Sequence, residues 1–502
     1  MTLVLALLNF AFLAWVTWRS AKARSLTFFF WVSVLIPFGL PAVYDSIVTP
    51  IQTSSEVVSS AILYAIYLNS VIVVAVFFVS RFVLSRSRSW YHCRRCFPAG
   101  VSISNGRLLF SKVLKRSGLV SNVTNGAPFA PFSRGESILA GFLRVLLLIQ
   151  IIGFILIAVD ISRATGKPFW QTYDMHWHVV AFEERGPFMM LGTYLSILGA
   201  SLCTAAWLQR RWLVFAGGVL VTIMICLITG ARYLVIPALM PVVFVAIAKK
   251  IDYKRVVGLV LVGSVMVLLI YQIQTLRWLN DRRLARLLDL DVTAFTVRRI
   301  RESFGGFGGA GEFDLRFGYY FYLEHIPDEM PFANGQTYLR ILMMPFPGFL
   351  APGVKPKELT QVLNEFRYGV SSVKGGTDHP LFYGETWANS GPFGAFIGIF
   401  WGSIFALLDW WFRRRPAYEQ VLLLSPIAAF MVFLARGAVY SSAGFLFVGG
   451  AIALFVSWGY RSFTKLAKVP SIPSIGINAG VRVGAGLKTG KVIDRGVSNR
   501  TR

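Results

Sequence analysis

The chain has 502 residues, 55% of them hydrophobic and only 15% charged. A water-soluble protein of this length carries about a quarter charged residues, so an ordinary soluble domain is excluded. The net charge of +26 would suit a nucleic-acid binder, but its distribution along the chain points elsewhere.

Charges nearly vanish from repeated stretches of roughly 17 to 22 residues, the length a helix needs to cross about 30 Å of hydrocarbon. Barrel strands are shorter and alternate in polarity, so helices are the way these runs satisfy their backbones in lipid. In chain order the spans are predicted at 2–18, 26–43, 58–80, 137–158, 188–208, 212–229, 231–248, 256–273, 391–411, 419–436 and 443–459. The expected fold is therefore an all-α polytopic membrane protein with about eleven spanning helices.

The first run, MTLVLALLNFAFLAWVTW, is followed by RSAKAR and preceded by no basic residue. A cleaved leader has the reverse polarity, so a retained first span is expected. The basic segments then fall on one common side: Arg19 to Arg24, Arg81 to Arg134, Arg210 and Arg211, Lys249 to Arg255, Arg413 to Arg415, and the stretch after Arg461. They hold about 31 of the 50 lysines and arginines, and the positive-inside rule makes that side the cytoplasm. Acids such as Asp45, Glu56, Asp160, Asp174, Glu183 and Glu184 fall on the other side. The N-terminus is then outside and the C-terminus inside. Anionic inner-leaflet lipid accounts for the excess positive charge, so membrane lipid is the expected partner and nucleic acid is not.

The expected organisation is N-terminal spans over 1–80, a basic cytoplasmic loop over 81–136, spans over 137–273, a large extracytoplasmic loop over 274–390, C-terminal spans over 391–460, and a disordered basic tail over 461–502. The 274–390 loop is far longer than a connector requires, and such loops are usually functional. It contains TYLRILMMPFPGFL, PGVKPKELTQVLNEF and GGTDHPLFYGETWANSGPFGAF, which suit short amphipathic helices along the membrane surface. GGFGGAGEF at 305–313 lacks a strand–loop–helix context and reads as a hinge, not a nucleotide loop.

Several residues have the chemistry for a site. Arg232, in LITGARYLVIPALMP, sits at an outer hinge between two tightly connected spans. A charge there is costly and is a functional candidate, against the alternative of snorkelling to headgroups. Arg436, in FLARGAVYSS, ends a span on the same side, and two such arginines suit a pyrophosphate through bidentate hydrogen bonds. Arg277 is either a third member or an ordinary interfacial charge. His379 and Glu385 flank the stretch DHPLFYGE, read as turn-rich, and either has the chemistry of a general base. The alternatives are a turn histidine before Pro380 and a glutamate capping a helix that begins near Asn389. Gly391 and Gly394 have small-residue spacing suited to close helix packing.

Arg144 is read as snorkelling from the fourth span, and Cys203 and Cys226 as packing residues. The lone HCRRC pair, Cys93 and Cys96, is a weak zinc signal, and DMHWH (His176, His178) lacks a third ligand, so no metal site is expected.

These residues together resemble the O-antigen polymerase family, the oligosaccharide repeat unit polymerases of bacterial envelope polysaccharide synthesis. The resemblance rests on TGARY with Arg232, on PGFLAPGVKPKE with Lys355 and Lys357, and on HPLFYGETWANSGPFGAFIG with Glu385 and the run from Asn389 to Gly394, followed by Arg436 and Gly437. It covers mainly residues 212 to 440. It implies a fold like that of the GT-C-type membrane glycosyltransferases, in a bacterial cytoplasmic membrane. It further implies a metal-independent transferase without cofactor, acting on polyprenyl-pyrophosphate-linked oligosaccharide and working beside flippase and chain-length regulator proteins. Arg232, Arg436, Arg277 and Lys357 would then hold pyrophosphate, and His379 or Glu385 would assist the acceptor hydroxyl. His379 before the small-residue run is also similar to the related O-antigen ligases, though its spacing to Gly391 departs from theirs. A flippase or transporter is the rival from another class; it would be expected to show internal repeats and midplane sites, and no repeat is visible. A non-catalytic scaffold of a glycan export complex is the third.

Overall fold

The computed structural model describes residues 1–48, 53–93, 136–169, 186–229, 234–248, scattered positions between 257 and 276, 289–304, 315–344, 356–357, 359–369 and 379–466. Among them 87% are helical and none lies in a strand, which fixes the class as all-α. Nine helices among the described residues are long and apolar enough to cross a membrane: Thr2–Lys22, Thr27–Ile47, Ser55–Val83, Gly141–Thr165, Pro187–Leu208, Trp212–Thr229, Leu381–Arg413, Ala417–Ala435 and Val439–Ser462. The seventh expected span is a shorter apolar helix, Val235–Ala248, and most of 256–273 lies outside the described residues. The chain divides into a main body, Met1–Ser457, and a second unit, Trp458–Arg502.

In chain order the helices are α1 (Thr2–Lys22), α2 (Thr27–Val34) running through a π-turn at Leu35–Gly39 into α3 (Leu40–Ile47), α4 (Ser55–Cys93), α5 (Glu136–Thr165), α6 (Pro187–Gly199), α7 (Ser201–Leu208), α8 (Trp212–Thr229) and α9 (Val235–Ala248). The long loop contributes α10 (Leu290–Phe304), α11 (Leu315–His325), α12 (Gln336–Leu342) and α13 (Leu359–Tyr368). Then come α14 (Leu381–Ser390), a 3₁₀ turn Gly391–Phe396, α15 (Ile397–Arg413), α16 (Ala417–Ala435), α17 (Val439–Gly444), a π-turn Phe445–Gly449 and α18 (Gly450–Leu466).

Helices in lipid gain little from hydrophobic exclusion, so close approach and buried hydrogen bonds hold them together. Glycines provide the approach. A Cβ on Gly192 of α6 would lie 2.8 Å from the Gly153 carbonyl of α5, and one on Gly402 of α15 would lie 2.7 Å from the Ile72 carbonyl of α4. Polar side chains provide the bonds: Gln150 Nε2 of α5 donates to Gly218 O and Thr222 Oγ1 of α8, each at 3.0 Å. Helix α16 is the centre of the bundle, buried throughout from Glu419 to Ala435. Its Pro426 has no N–H for the Leu422 carbonyl one turn earlier, and Ser201 Oγ of α7 donates to that carbonyl instead, at 3.1 Å.

Contacts between distant segments define the two ends of the bundle. At one end, Asp409 of α15 accepts from Leu26 N at the start of α2 (3.1 Å), and Arg413 donates to Ala23 O and Arg24 O. Arg414 and Arg415 there lie over Trp410 and Trp411, cations folded back along aromatic faces. At the other end, the last turn of α3 carries Asp45, whose buried carboxylate is bound by Arg316 and Tyr320 of α11. Tyr319 of α11 donates to Ala61 O near the start of α4. The loop helix α11 is thus anchored to the bundle at the end opposite Arg413.

Asp45 and Asp160, expected in outer loops, are both buried at helix ends. Asp160 accepts from Gly186 N (2.6 Å) and Met189 N (3.1 Å), satisfying the free N–H groups that begin α6. Arg144 is exposed on α5, and Cys203 and Cys226 are buried.

Candidate functional site

The stretch from His379 to Glu385, expected to be turn-rich, is helical from Leu381 onward. Pro380 supplies its start, as proline suits a position whose N–H has no intrahelical acceptor. The helix stays regular because two glycines let it cross α11 closely. A Cβ on Gly318 would lie 3.1 Å from the His379 carbonyl, and one on Gly384 would lie 3.1 Å from Tyr319 Cα. Glu385 is therefore a buried mid-helix residue, 2% exposed, and not a cap for a helix starting near Asn389.

The other wall is the turn that ends α16. Gly437 has φ +81° and sits directly on the Leu381 backbone, where a Cβ would lie 2.7 Å from Leu381 C. Only a residue without a Cβ fits both the conformation and the contact. The turn then presents Val439 N–H to Glu385 Oε2 at 3.3 Å, satisfying one of the free N–H groups at the start of α17. Arg436, at the end of α16, is close enough for its charge to act on His379. Burial first, and that charge second, lower the imidazole to about 3, so His379 is neutral across the physiological range. Glu385, His379 and Arg436 thus meet at one end of the bundle, although Arg436 is 51 positions from Glu385 in sequence.

The loop closes over this wall through Asn389. Its Nδ2 donates to Thr337 Oγ1 (2.8 Å) and Glu385 O (2.7 Å), while its Oδ1 accepts from Gly335 N (3.0 Å). Ala333 N adds a bond to Ala388 O at 2.8 Å. The left-handed pair Asn334 and Gly335 turns the chain here and starts α12. Tyr322 of α11 is fully buried and Tyr338 of α12 is half-buried with its hydroxyl shielded from solvent, and both phenols are held well above their ordinary range. Burial is the larger cause, and the charge of Glu385 adds to it. Arg340, further along α12, lies over the Tyr440 ring at 4.6 Å and donates to Pro356 O.

The other sequence candidates fall differently. Arg232, Arg277, His176, His178, Lys355, Cys96 and the glycine-rich 305–313 stretch lie outside the described residues. Lys357 is exposed and pairs with both oxygens of Glu365 of α13, at 2.9 and 2.8 Å, so its charge is engaged within the loop. Gly391 has φ +56° and packs against the Phe332 ring, and Gly394 packs against Thr386 and the Tyr64 hydroxyl, where a Cβ would be 2.6 Å away. Arg340, Tyr338, Tyr322, Asn389 as a clamp, and the Asp45–Arg316 pair were not singled out from sequence. The signal available was an arginine inside an amphipathic loop segment and an acid at a span end, neither of which names its partner. Among the described residues no group of three His, Cys, Asp or Glu side chains gathers as a metal site.

An all-helical, multi-pass membrane protein with a buried acid, a neutral histidine and an arginine at the bundle end where the loop helices are anchored is the class these observations define. The chain matches no protein-family model, no curated protein and no solved structure.

Proposed function

We propose that this protein is a glycan polymerase that joins oligosaccharide repeat units carried on polyprenyl pyrophosphate, at the outer face of a bacterial cytoplasmic membrane. The observation that carries the reading is the convergence of Glu385, His379 and Arg436 at the bundle end where α11 and α12 are anchored. A lipid-linked substrate needs such a place, because its reacting diphosphate lies at headgroup level while its tail stays in hydrocarbon.

In the proposed reaction a hydroxyl of the incoming repeat attacks C1 of the sugar held on the donor lipid. The O–C1 bond forms, the C1–O bond to phosphate breaks, and its electron pair leaves on the diphosphate oxygen. The hydroxyl proton goes to the Glu385 carboxylate. His379 is a poor proton acceptor near neutral pH, since an imidazole lowered to about 3 holds a proton weakly. It serves as a neutral hydrogen-bonding group beside the leaving diphosphate. Arg436, joined by Arg232 in this reading, stabilises the charge that develops there, a contribution of about a hundredfold per arginine by analogy with oxyanion donors.

The positive-inside arrangement supports the orientation, with the Arg413 end of the bundle cytoplasmic and the Arg316 end outside. The deciding experiment is turnover of the purified protein with a defined lipid-linked repeat, scored for lengthening. Longer lipid-linked products support the polymerase. Transfer only to a separate acceptor identifies a ligase, and no transfer by folded protein rejects the enzyme.

A further inference from the structure

A diphosphate head spreads its charge over two phosphoryl groups, more than one guanidinium fork spans. Arg436 therefore needs a companion. Lys357, the loop cation indicated by sequence, is held by both Glu365 oxygens at an exposed position. Arg340 is placed differently. Its guanidinium lies over Tyr440, the residue after Val439, whose N–H meets Glu385. Arg436 is three positions before Val439, so the five-residue segment from Arg436 to Tyr440 supplies one arginine and holds the other.

Two direct contacts fix Arg340 there, and a third set of bonds fixes the helix that carries it. The guanidinium lies over the Tyr440 ring, and one of its edges donates to the Pro356 carbonyl. Asn389 ties the start of α12 to the helix that carries Glu385. An arginine meant only to face water would not be held on the bundle side by a ring, a carbonyl and a buried amide clamp.

We propose that Arg340 is the second phosphate ligand of the site, pairing with Arg436 to hold the diphosphate head of a prenyl lipid, with Tyr440 as the residue that positions it. This rests on the polymerase reading and extends it, because the loop then delivers part of the binding site instead of only covering it. The ligand chemistry is a diphosphate group, which a prenyl lipid or free inorganic diphosphate would present.

The test is equilibrium binding of farnesyl diphosphate, farnesyl monophosphate and inorganic diphosphate to the purified full-length protein in nanodiscs. Wild type is expected to prefer farnesyl diphosphate over the monophosphate. Arg340→Ala should weaken farnesyl diphosphate about tenfold or more and shrink that preference, while farnesyl monophosphate changes far less. Arg340→Lys, which keeps charge and stem, should recover only part of the loss. Tyr440→Phe should bind like wild type, and Tyr440→Leu should fall between wild type and Arg340→Ala. Inorganic diphosphate binding as tightly as the farnesyl form would assign the pair to a free anion and overturn the lipid assignment. Wild-type affinity in Arg340→Ala, with a loss in Arg436→Ala, would overturn the role of Arg340 and leave the polymerase reading standing. If wild type binds no diphosphate, both readings fall. Should Arg340→Ala unfold, Arg340→Lys with wild-type affinity and preference is the refuting result.

Discussion

Arg316 holds Asp45 through two parallel hydrogen bonds, Nε to Oδ2 at 2.5 Å and Nη2 to Oδ1 at 3.0 Å, with both side chains fully buried. The residues are 271 positions apart, and the pair joins the loop helix α11 to the end of the second span. Tyr320 adds a third bond to the same carboxylate at 2.9 Å. Removing one partner leaves the other buried and uncompensated, a cost of about 3–5 kcal/mol, whereas removing both is far cheaper. Asp45→Ala and Arg316→Ala should each lower the thermal unfolding midpoint strongly. The Asp45→Leu/Arg316→Met double variant should recover much of the loss. Additive losses in the double variant would show that the pair does not act as a unit.

Glu385→Gln separates proton transfer from folding. The glutamine carbonyl still accepts from Val439 N–H, so the unfolding midpoint should stay near wild type. Lengthening of a lipid-linked repeat should fall by roughly 10²–10⁴, the range for a lost general base. Turnover within threefold of wild type would place the base elsewhere.

His379 ties stability to pH. Its folded value of about 3 lies below its ordinary 6.5, so between these values the unfolded chain binds more protons than the folded one. Stability contributed by this group is fully present above about pH 6.5 and is lost as pH falls toward 3, by up to about 1.4 kcal/mol per unit. The midpoint should therefore drop between pH 7 and pH 4.5, and His379→Asn should make that drop smaller. An unchanged slope in the variant would mean that other groups govern acid sensitivity.

Gly437 is where the end of α16 meets the Leu381 backbone, at φ +81°. Gly437→Ala should destabilise by about 1–3 kcal/mol through backbone strain, and by separating Arg436 from His379 it should lessen the acid dependence just described, with the larger part due to burial retained. Gly217→Ala, on α8 with open space around its Cβ position, is the matched control and should be neutral or slightly stabilising. Equal effects at the two positions would remove the special role of the turn.

Reporter fusions after residues 120 and 330 should report opposite sides of the membrane, the first cytoplasmic and the second outside. A shared side would void the proposed orientation, and with it an outer-face reaction.

Much of the fold is legible in the amino-acid order because it depends on runs of like residues. Nine of the expected spans coincide with helices of membrane length, since an apolar stretch of about 20 residues has one way to satisfy its backbone in lipid. The helix that leads into the ninth span is not legible in the same way. Leu381–Ser390 contains Gly384, Asn389 and Ser390, which locally favour a turn, yet packing against Gly318 and Tyr319 keeps it helical. Glu385, His379 and Arg436 draw attention as charged or titratable groups at span ends, which a sequence displays directly.

The partners of those groups lie beyond it. That Glu385 meets Val439, that Arg316 meets Asp45, and that Arg340 lies over Tyr440 while Lys357 pairs with Glu365 are outcomes of which helices lie side by side. The amino-acid order by itself determined that this chain crosses a membrane many times as helices, because hydrocarbon penalises every unpaired backbone group in the same way wherever it occurs. The meeting of Glu385, His379 and Arg436 at one end of those helices was decided only in three dimensions, by glycine-mediated approach and buried hydrogen bonds between residues far apart in sequence.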